Sequence, residues 1–335
     1  MTGLPHRPDL AQLRRQAKEL HRAAVAGERE GVRRLGAVSD RTTLAAAQLA
    51  VAREHGFPSW PSLRAGVEAA GATPASPLMS DKHRRTAVDG AADFLARAQQ
   101  RGWRPRTLPV GAVFTSQTFI TAHFAGAGDR YQPSDSLTPT NGQVFLTVGG
   151  PPVAIACLGV GAPAVVTLLE HLVALGVRSF IAVGPAPAVA ADLRWGDCVV
   201  IDRALRDDGV SSHYAAPARY AAADTGLTAR LVAAVEADGL EVRTGSSWTV
   251  PTPYRTTVEE LSAYQEEGVL VTEMTTAALF TAACALGARA AGAVMATTTP
   301  GARPAASAPA PDRGRGQVLR LAETAVGVLQ DEVSV

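Results

Sequence analysis

Cysteine, aromatic side chains and charge are all scarce in this chain, and each shortage removes a class of function. The three cysteines, Cys157, Cys198 and Cys284, are scattered through apolar surroundings. An odd trio at such spacings builds neither a disulfide framework nor a metal site, so buried thiols of a reducing compartment are expected. Aromatic residues make up only 5% of the chain, so stacking platforms for nucleic-acid bases would have to be few. Charged residues amount to 19%, with a formal net charge of +1. There is no basic stripe to hold nucleic acid and no acidic tail. No apolar run approaches the ~18 residues of a membrane span, and the first residues carry no signal-like apolar core. The expectation is a cytoplasmic protein with no cofactor, no metal, and neither nucleic acid nor membrane as a partner.

What is present organises itself into about two domains, the prior for 335 residues. Asp9–Val25 places Leu10, Leu13, Ala17, Leu20 and Ala24 at helical spacing. Shorter helices are expected over Glu28–Leu35 and Thr43–His55, and from Ser59-Trp60-Pro61-Ser62 through Ala69. Trp60 reads as a core anchor, because an aromatic ring buries a large area. Gly71–Pro77 is a linker by composition, and Thr86–Arg101 reads as one more amphipathic helix. The boundaries expected are a helical module at 1–70, a linker and connecting helix at 71–107, and an α/β domain at 108–335.

The large domain turns on Val153–Val200. A buried strand (Val153–Leu158) meets a Gly-rich turn (Gly159-Val160-Gly161-Ala162-Pro163) and then an apolar helix (Ala164–Leu175). A second buried strand follows at Ser179–Val183 and a third opens near Cys198. Short apolar runs separated by helices predict a mainly parallel sheet flanked by helices on both faces. Strands are expected at Val110–Phe114, Gln143–Val148, Asp197–Leu205, Glu241–Thr249, Val269–Thr272 and Ala290–Ala296. Helices are expected at Thr225–Asp238, Val258–Glu267, Thr275–Leu286 and Gln317–Gln330. Arg303–Gly316 is rich in Pro, Ala and Gly; a surface loop and a lid are both open readings. Gly126–Thr140 reads as a polar loop.

Five segments, in order, resemble the purine nucleoside and uridine phosphorylase superfamily across about Leu108–Leu329. They are Gly159–Val177, Phe180–Val189, Leu193–Tyr214 (LRWGDCVVIDRALRDDGVSSHY), Trp248–Leu261 and Gly268–Val294. The run Asp208–Tyr214 is closest to the uridine-phosphorylase-like branch. The resemblance implies the nucleoside-phosphorylase fold and a homo-oligomer (dimer, trimer or hexamer), since in that family a neighbour completes each pocket. In the N-terminal helices, LRRQAKELHRA and AAQLAVAREHGFPSWPSL look ankyrin-like, which implies docking of a protein partner by residues 1–70.

Phosphorolysis needs an anion cradle, a carboxylate on the sugar hydroxyls and a group that stabilises the departing base. Against the family pattern, this sequence has Ala164 in place of a Ser, and Ala182-Val183-Gly184-Pro185-Ala186-Pro187 where the resemblance implies Arg-Ile-Gly-Thr-x-Gly, so the phosphate Arg and Thr are missing. No Gly-Asp-Pro-x-Arg loop appears near Val113–Phe119. Thr275 stands where the resemblance implies the ribose-binding Glu, and Ala296-Thr297-Thr298-Thr299 offers no ionisable group. The residues expected to carry chemistry are His213 and Glu273, with a structural cap as the other reading of Glu273. Gly161, Gly184, Tyr214, Trp248, Tyr254, Arg255, Met274, Thr275 and Thr298 are expected to contact the ligand, and His123 is a weaker candidate. The function expected is a repurposed enzyme acting on a nucleoside-like or other cyclic small molecule by an isomerase, cyclase or lyase step. A working nucleoside phosphorylase and a non-catalytic nucleoside-binding scaffold are the alternatives.

Overall fold

The computed structural model describes residues 9–71, 79, 81–133, 143–157, 159–299 and 311–332. It divides into two compact units, Met1–Met79 and Ser80–Val335. Most of the expected linker Gly71–Pro77 and positions 303–310 of the expected loop lie outside the described residues, as do Leu158 and 134–142.

The smaller unit contains four helices: α1 (Leu10–Val25), α2 (Arg29–Gly36), α3 (Leu44–Glu54) and α4 (Trp60–Gly71). Asp9 and Thr43 start α1 and α3 by accepting backbone N–H groups with their side chains, the usual device for orphan donors at a helix start. Leu13, Ala17, Leu20 and Ala24 of α1 meet Leu35, Ala50, Val51 and Leu63 in one core, with Trp60 packed against it. Gly31 is required by the approach of α2 to α1: an added Cβ would lie 2.7 Å from the backbone N of Ala24.

The larger unit is built on a ten-stranded sheet. Its strands are β1 (Gly111–Thr115), β2 (Tyr131–Pro133), β3 (Gln143–Thr147), β4 (Val153–Cys157) and β5 (Ser179–Pro187), then β6 (Cys198–Arg206), β7 (Tyr220–Ala222), β8 (Val242–Thr249), β9 (Val271–Glu273) and β10 (Arg289–Thr297). The order across the sheet is β2-β3-β4-β1-β5-β10-β6-β8-β9, with β7 paired to β6. Pairs β1–β4, β1–β5, β5–β10, β6–β8 and β8–β9 run parallel, whereas β2–β3, β3–β4, β6–β10 and β6–β7 run antiparallel. This is the mixed, mainly parallel sheet that the apolar runs predict.

Because successive residues of a strand face opposite sides, the sheet feeds two cores. Phe114 and Phe180 face one side, with helices α7 (Ala162–Ala174) and α10 (Thr276–Ala285). Val113 and Ile181, their immediate neighbours, face the other, with α8 (Thr225–Ala237) and α11 (Pro311–Asp331). Helices α6 (Thr118–Gly126) and α9 (Val258–Glu266) complete the unit together with α5 (Ala91–Gln100). The Phe114 and Phe180 rings stack with centroids 5.5 Å apart.

Several expected elements differ in extent. The helix expected over Thr86–Arg101 begins only at Ala91, after a short 3-10 turn at Lys82–Arg84, because Asp93 accepts the N–H of Gly90 and fixes the start there. Strand β5 runs on to Pro187, since β10 continues to pair with it as far as Thr297. The last helix begins at Pro311, so positions 311–316 of the expected loop are helical. The irregular segment Arg206–Tyr220 contains a 3-10 turn at Ser211–His213. The cysteines are not uniformly buried: Cys198 is buried, Cys157 half-buried and Cys284 exposed in the last turn of α10. Burial pushes the Cys198 thiol up to about 12, which leaves it un-ionised and inert.

Helix α5 docks on α7 through Phe94, whose ring stacks on His171 at 5.1 Å. His171 is buried and its Nδ1 has no hydrogen-bond partner. Burial lowers its pKa, while the neighbouring Glu170 opposes that shift.

Two outcomes follow. Phe180→Ala removes a fully buried ring and should cost about 3–5 kcal/mol in denaturant-induced unfolding of the larger unit. For His171, the unfolded chain binds the proton below about pH 6.5 more readily than the folded chain does. Its stabilising share is therefore present above that pH and declines as the pH falls. Melting curves from pH 8 to pH 5 should show this decline, and His171→Phe should flatten it.

Candidate functional site

The sheet opens where β1 parts from β5. Their pairing ends at Phe114↔Ala182, whereas β1 follows β4 to Thr115↔Cys157 and β5 follows β10 to Pro187↔Thr297. Beyond Ala182 one flank of β5 is no longer paired to β1, which is where a proline can sit in a strand without breaking a ladder. Pro185 occupies that position. The gap lies at the carboxyl ends of the parallel strands, the usual ligand edge of such sheets.

A cavity of about 290 Å³ fills this gap. The turn Gly159-Val160-Gly161 bounds it on one side, at the start of α7. Gly161 has φ 97° and ψ 169°, a conformation that glycine alone adopts readily, and an added Cβ would lie 3.8 Å from Met274 Cε. Ala182, Gly184, Pro185 and Pro187 of β5 line it, as do Thr115, Ser116 and Gln117 after β1. Val250, Pro253 and the run Thr272–Thr276 close it. Among these lining residues Glu273 is the one ionisable side chain, and no Arg or Lys is among them.

Glu273 is engaged by its own surroundings. One carboxylate oxygen accepts the Thr275 N–H at 2.5 Å, the Thr276 N–H at 2.8 Å and the Thr275 hydroxyl at 3.0 Å. The other accepts the hydroxyls of Thr276 at 2.5 Å, Ser247 at 3.2 Å and Thr249. The backbone donors belong to the start of α10, so the carboxylate caps that helix and joins it to the ends of β8 and β9. A carboxylate has about four acceptor positions, and these donors occupy them. Of the two readings of Glu273, the geometry is that of the cap.

The sequence-derived candidates separate into groups. Gly161, Gly184, Glu273, Met274 and Thr275 come together on the cavity wall. Thr275 carries no free hydroxyl proton there, because its Oγ1 donates to Glu273. Trp248 does not line the cavity: it is buried, its indole N–H donates to Asp207 at 3.2 Å and its ring meets Tyr264 edge-on at 4.6 Å. Its ring packs in a cluster with Val189, Leu205, Val250 and Val269. Tyr254 and Arg255 are exposed on a 3-10 turn, and only Pro253 of that turn reaches the wall. Thr298 is half-buried and not among the lining residues. His123 is drawn off to Glu323 of α11, at 3.1 Å.

His213 and Tyr214 belong to a second, more open cleft of about 430 Å³, shared with Lys82, Arg85, Thr167 and Glu170. The Tyr214 hydroxyl donates to Glu170 at 2.6 Å, and burial together with that bond raises its pKa. Burial lowers the pKa of His213, and the charge of Lys82 adds to the shift. His213 and Glu273 therefore stand in different clefts, and within one chain they do not form an acid–base pair.

Sequence reasoning missed Ser116 and Gln117, which lie on the wall just after β1. No motif marks them in the sequence; α6 begins only at Thr118 and leaves both on the wall. Ser247 and Thr276, which complete the Glu273 network, were missed because their meeting depends on the pairing of β8 with β9. Among the described residues no group of three or more His, Cys, Asp or Glu is placed to hold a metal ion. Nor is any described helix long and apolar enough to cross a membrane.

Comparison with known proteins fits this architecture. A family model described as the Phosphorylase superfamily matches residues 133–329. The chain is 31% identical to uridine phosphorylase of Haemophilus influenzae over 158 residues, covering 43% of this chain and 62% of the relative. It is 30% identical to uridine phosphorylase of Escherichia coli over 155 residues, 42% of this chain and 61% of the relative. It is likewise 30% identical to guanosine phosphorylase of Halorubrum lacusprofundi over 141 residues, 42% of this chain and 58% of the relative. The chain thus spans about three-fifths of the length of the curated relatives it matches. With its sheet, its Gly-rich turn and more than half of its length accounted for in this way, the chain belongs to the nucleoside phosphorylase superfamily.

Proposed function

We propose that this member of the superfamily binds an uncharged nucleoside-like or other cyclic small molecule in the β1–β5 cleft and does not use phosphate as its nucleophile. One observation carries the reading: among the described residues the cleft wall has no cation, and its one carboxylate is already saturated by internal donors. Free N–H groups at the start of α7 would attract an anion with only about 0.3–1 kcal/mol. Each charge-assisted bond of a phosphate cradle contributes about 1.5–3 kcal/mol, and about 1.4 kcal/mol is a tenfold change in rate. Gly184, Pro185 and Pro187 supply no such bond from their side chains. The same wall suits a neutral ring lying between Met274, Val250 and Pro253. An isomerisation, cyclisation or elimination in a biosynthetic route is the chemistry that this reading favours.

The relatives' own names favour a second reading, a phosphate-dependent nucleoside phosphorylase. In that case an assembly of several copies would have to bring the missing cation from a neighbour. We further propose the homo-oligomer that the family resemblance implies, and a protein partner for the four-helix unit.

Thermal melting of the full chain separates the two functional readings. Linkage raises the melting temperature with any ligand that binds the folded state. Uridine or inosine should raise it without phosphate, added phosphate should give no further rise, and no free base should appear. Phosphate-dependent release of uracil or hypoxanthine at ordinary enzymatic rates would falsify the proposal. For Glu273, the amide of Glu273→Gln would point N–H groups at existing donors. It should lower ligand-free stability by about 2–3 kcal/mol in urea titration. Unchanged stability with lost turnover would instead give Glu273 a chemical role.

A further inference from the structure

Among the described residues the cleft offers a ring ligand few uncommitted hydrogen-bonding side chains, and two of them are neighbours in the chain. Thr272 donates its hydroxyl to the Trp248 carbonyl at 3.1 Å. The hydroxyls of Thr249, Thr275 and Thr276 are given to Glu273. The wall at 250–253 contributes the apolar side chains of Val250 and Pro253. Just past the end of β1 stand Ser116 and Gln117, both half-buried on the cavity wall. Neither side chain has a hydrogen-bond partner among the described residues. The backbone beneath them is tied down: the Gln117 N–H donates to Thr115 Oγ1 at 3.3 Å, and Gln117 is the extended residue that starts α6.

We infer that Gln117, with Ser116 beside it, is the specificity-determining contact of this cleft and recognises the lactam edge of an uncharged heterocycle, an adjacent ring N–H and C=O. The inference rests on the reading that the cleft takes a neutral ring compound. A carboxamide presents a carbonyl acceptor and two N–H donors in one plane. It can therefore accept from the ring N–H and donate to the ring C=O together, the two-point match by which such side chains read a base edge. An anion would meet the carboxamide's donors but no cation. A wholly apolar ring would cover the carboxamide and leave it unpaired, which is unfavourable in a site that excludes water. The hydroxyl of Ser116 can take the second lone pair of the same carbonyl. The ring's polar edge would face Ser116 and Gln117, and Val250 and Pro253 supply apolar wall for the rest of it.

Calorimetric titration of the full chain with uracil and with 1,3-dimethyluracil tests this. The two share one ring and both carbonyls, but in 1,3-dimethyluracil methyl groups replace the two N–H hydrogens. Wild type should prefer uracil by about tenfold, the worth of one or two neutral hydrogen bonds. In Gln117→Leu that preference should vanish while the affinity for 1,3-dimethyluracil is retained, which also shows that the variant is folded. Gln117→Glu keeps the shape but cannot donate to the carbonyl, so it too should lose most of the preference. A preference that persists in both variants overturns the role of Gln117, and equal binding of the two rings by wild type overturns lactam recognition. If wild type binds neither ring, the reading of the cleft as a neutral-ring site fails as well.

Discussion

The Glu273 carboxylate holds the functional edge of the larger unit together. It sits at the end of β9, accepts two backbone N–H groups from the start of α10, and gathers hydroxyls from β8 on the same side. A half-buried charge persists only where its lone pairs are met, and here a helix start and the hydroxyls of four neighbouring side chains meet them. Met274 and Thr275 follow directly in the chain, so this knot sets where they stand on the cavity wall. Its consequence is chemical as well as mechanical. A carboxylate committed in this way anchors the wall and has little capacity left for a ligand.

The cleft itself arises from a mismatch in pairing. Strand β1 keeps step with β4 but leaves β5 after Ala182, and the space between them becomes the cavity. Small and cyclic residues suit such an edge: Gly184 leaves room, Pro185 does without a ladder donor, and Gly161 turns the chain into α7 with a positive φ. These residues bring no charge to the cleft. The superfamily scaffold and the polarity of this wall are thus separate properties, the first set by the sheet and the second by a handful of side chains at its edge.

Residues brought together by sequence motif are divided by the fold. His213 and Tyr214 lie seven and eight residues beyond the end of β6 and pack beside α7, where Glu170 takes the tyrosine hydroxyl. Trp248 points into the core formed by Val189, Leu205 and Val269 rather than into the opening. In both cases the facing of a short segment decides the outcome, and a change of one residue along a strand reverses it.

The sequence by itself determined the α/β character, the four N-terminal helices, most element positions and the Gly-rich turn at Gly161. Those properties are local: apolar periodicity, capping residues such as Asp9 and Thr43, and glycine at a positive φ write them directly into the order of residues. It also carried the absence of a phosphate-type arginine on β5, because a missing residue type is visible without coordinates. Only the tertiary structure decided that Glu273 is saturated, that His213 lies in another cleft, and that Ser116 and Gln117 stand on the wall with no side-chain hydrogen bond among the described residues. Each of those depends on which strands pair, where β1 parts from β5, and which face a side chain takes. These are long-range relations that no window of neighbouring residues contains.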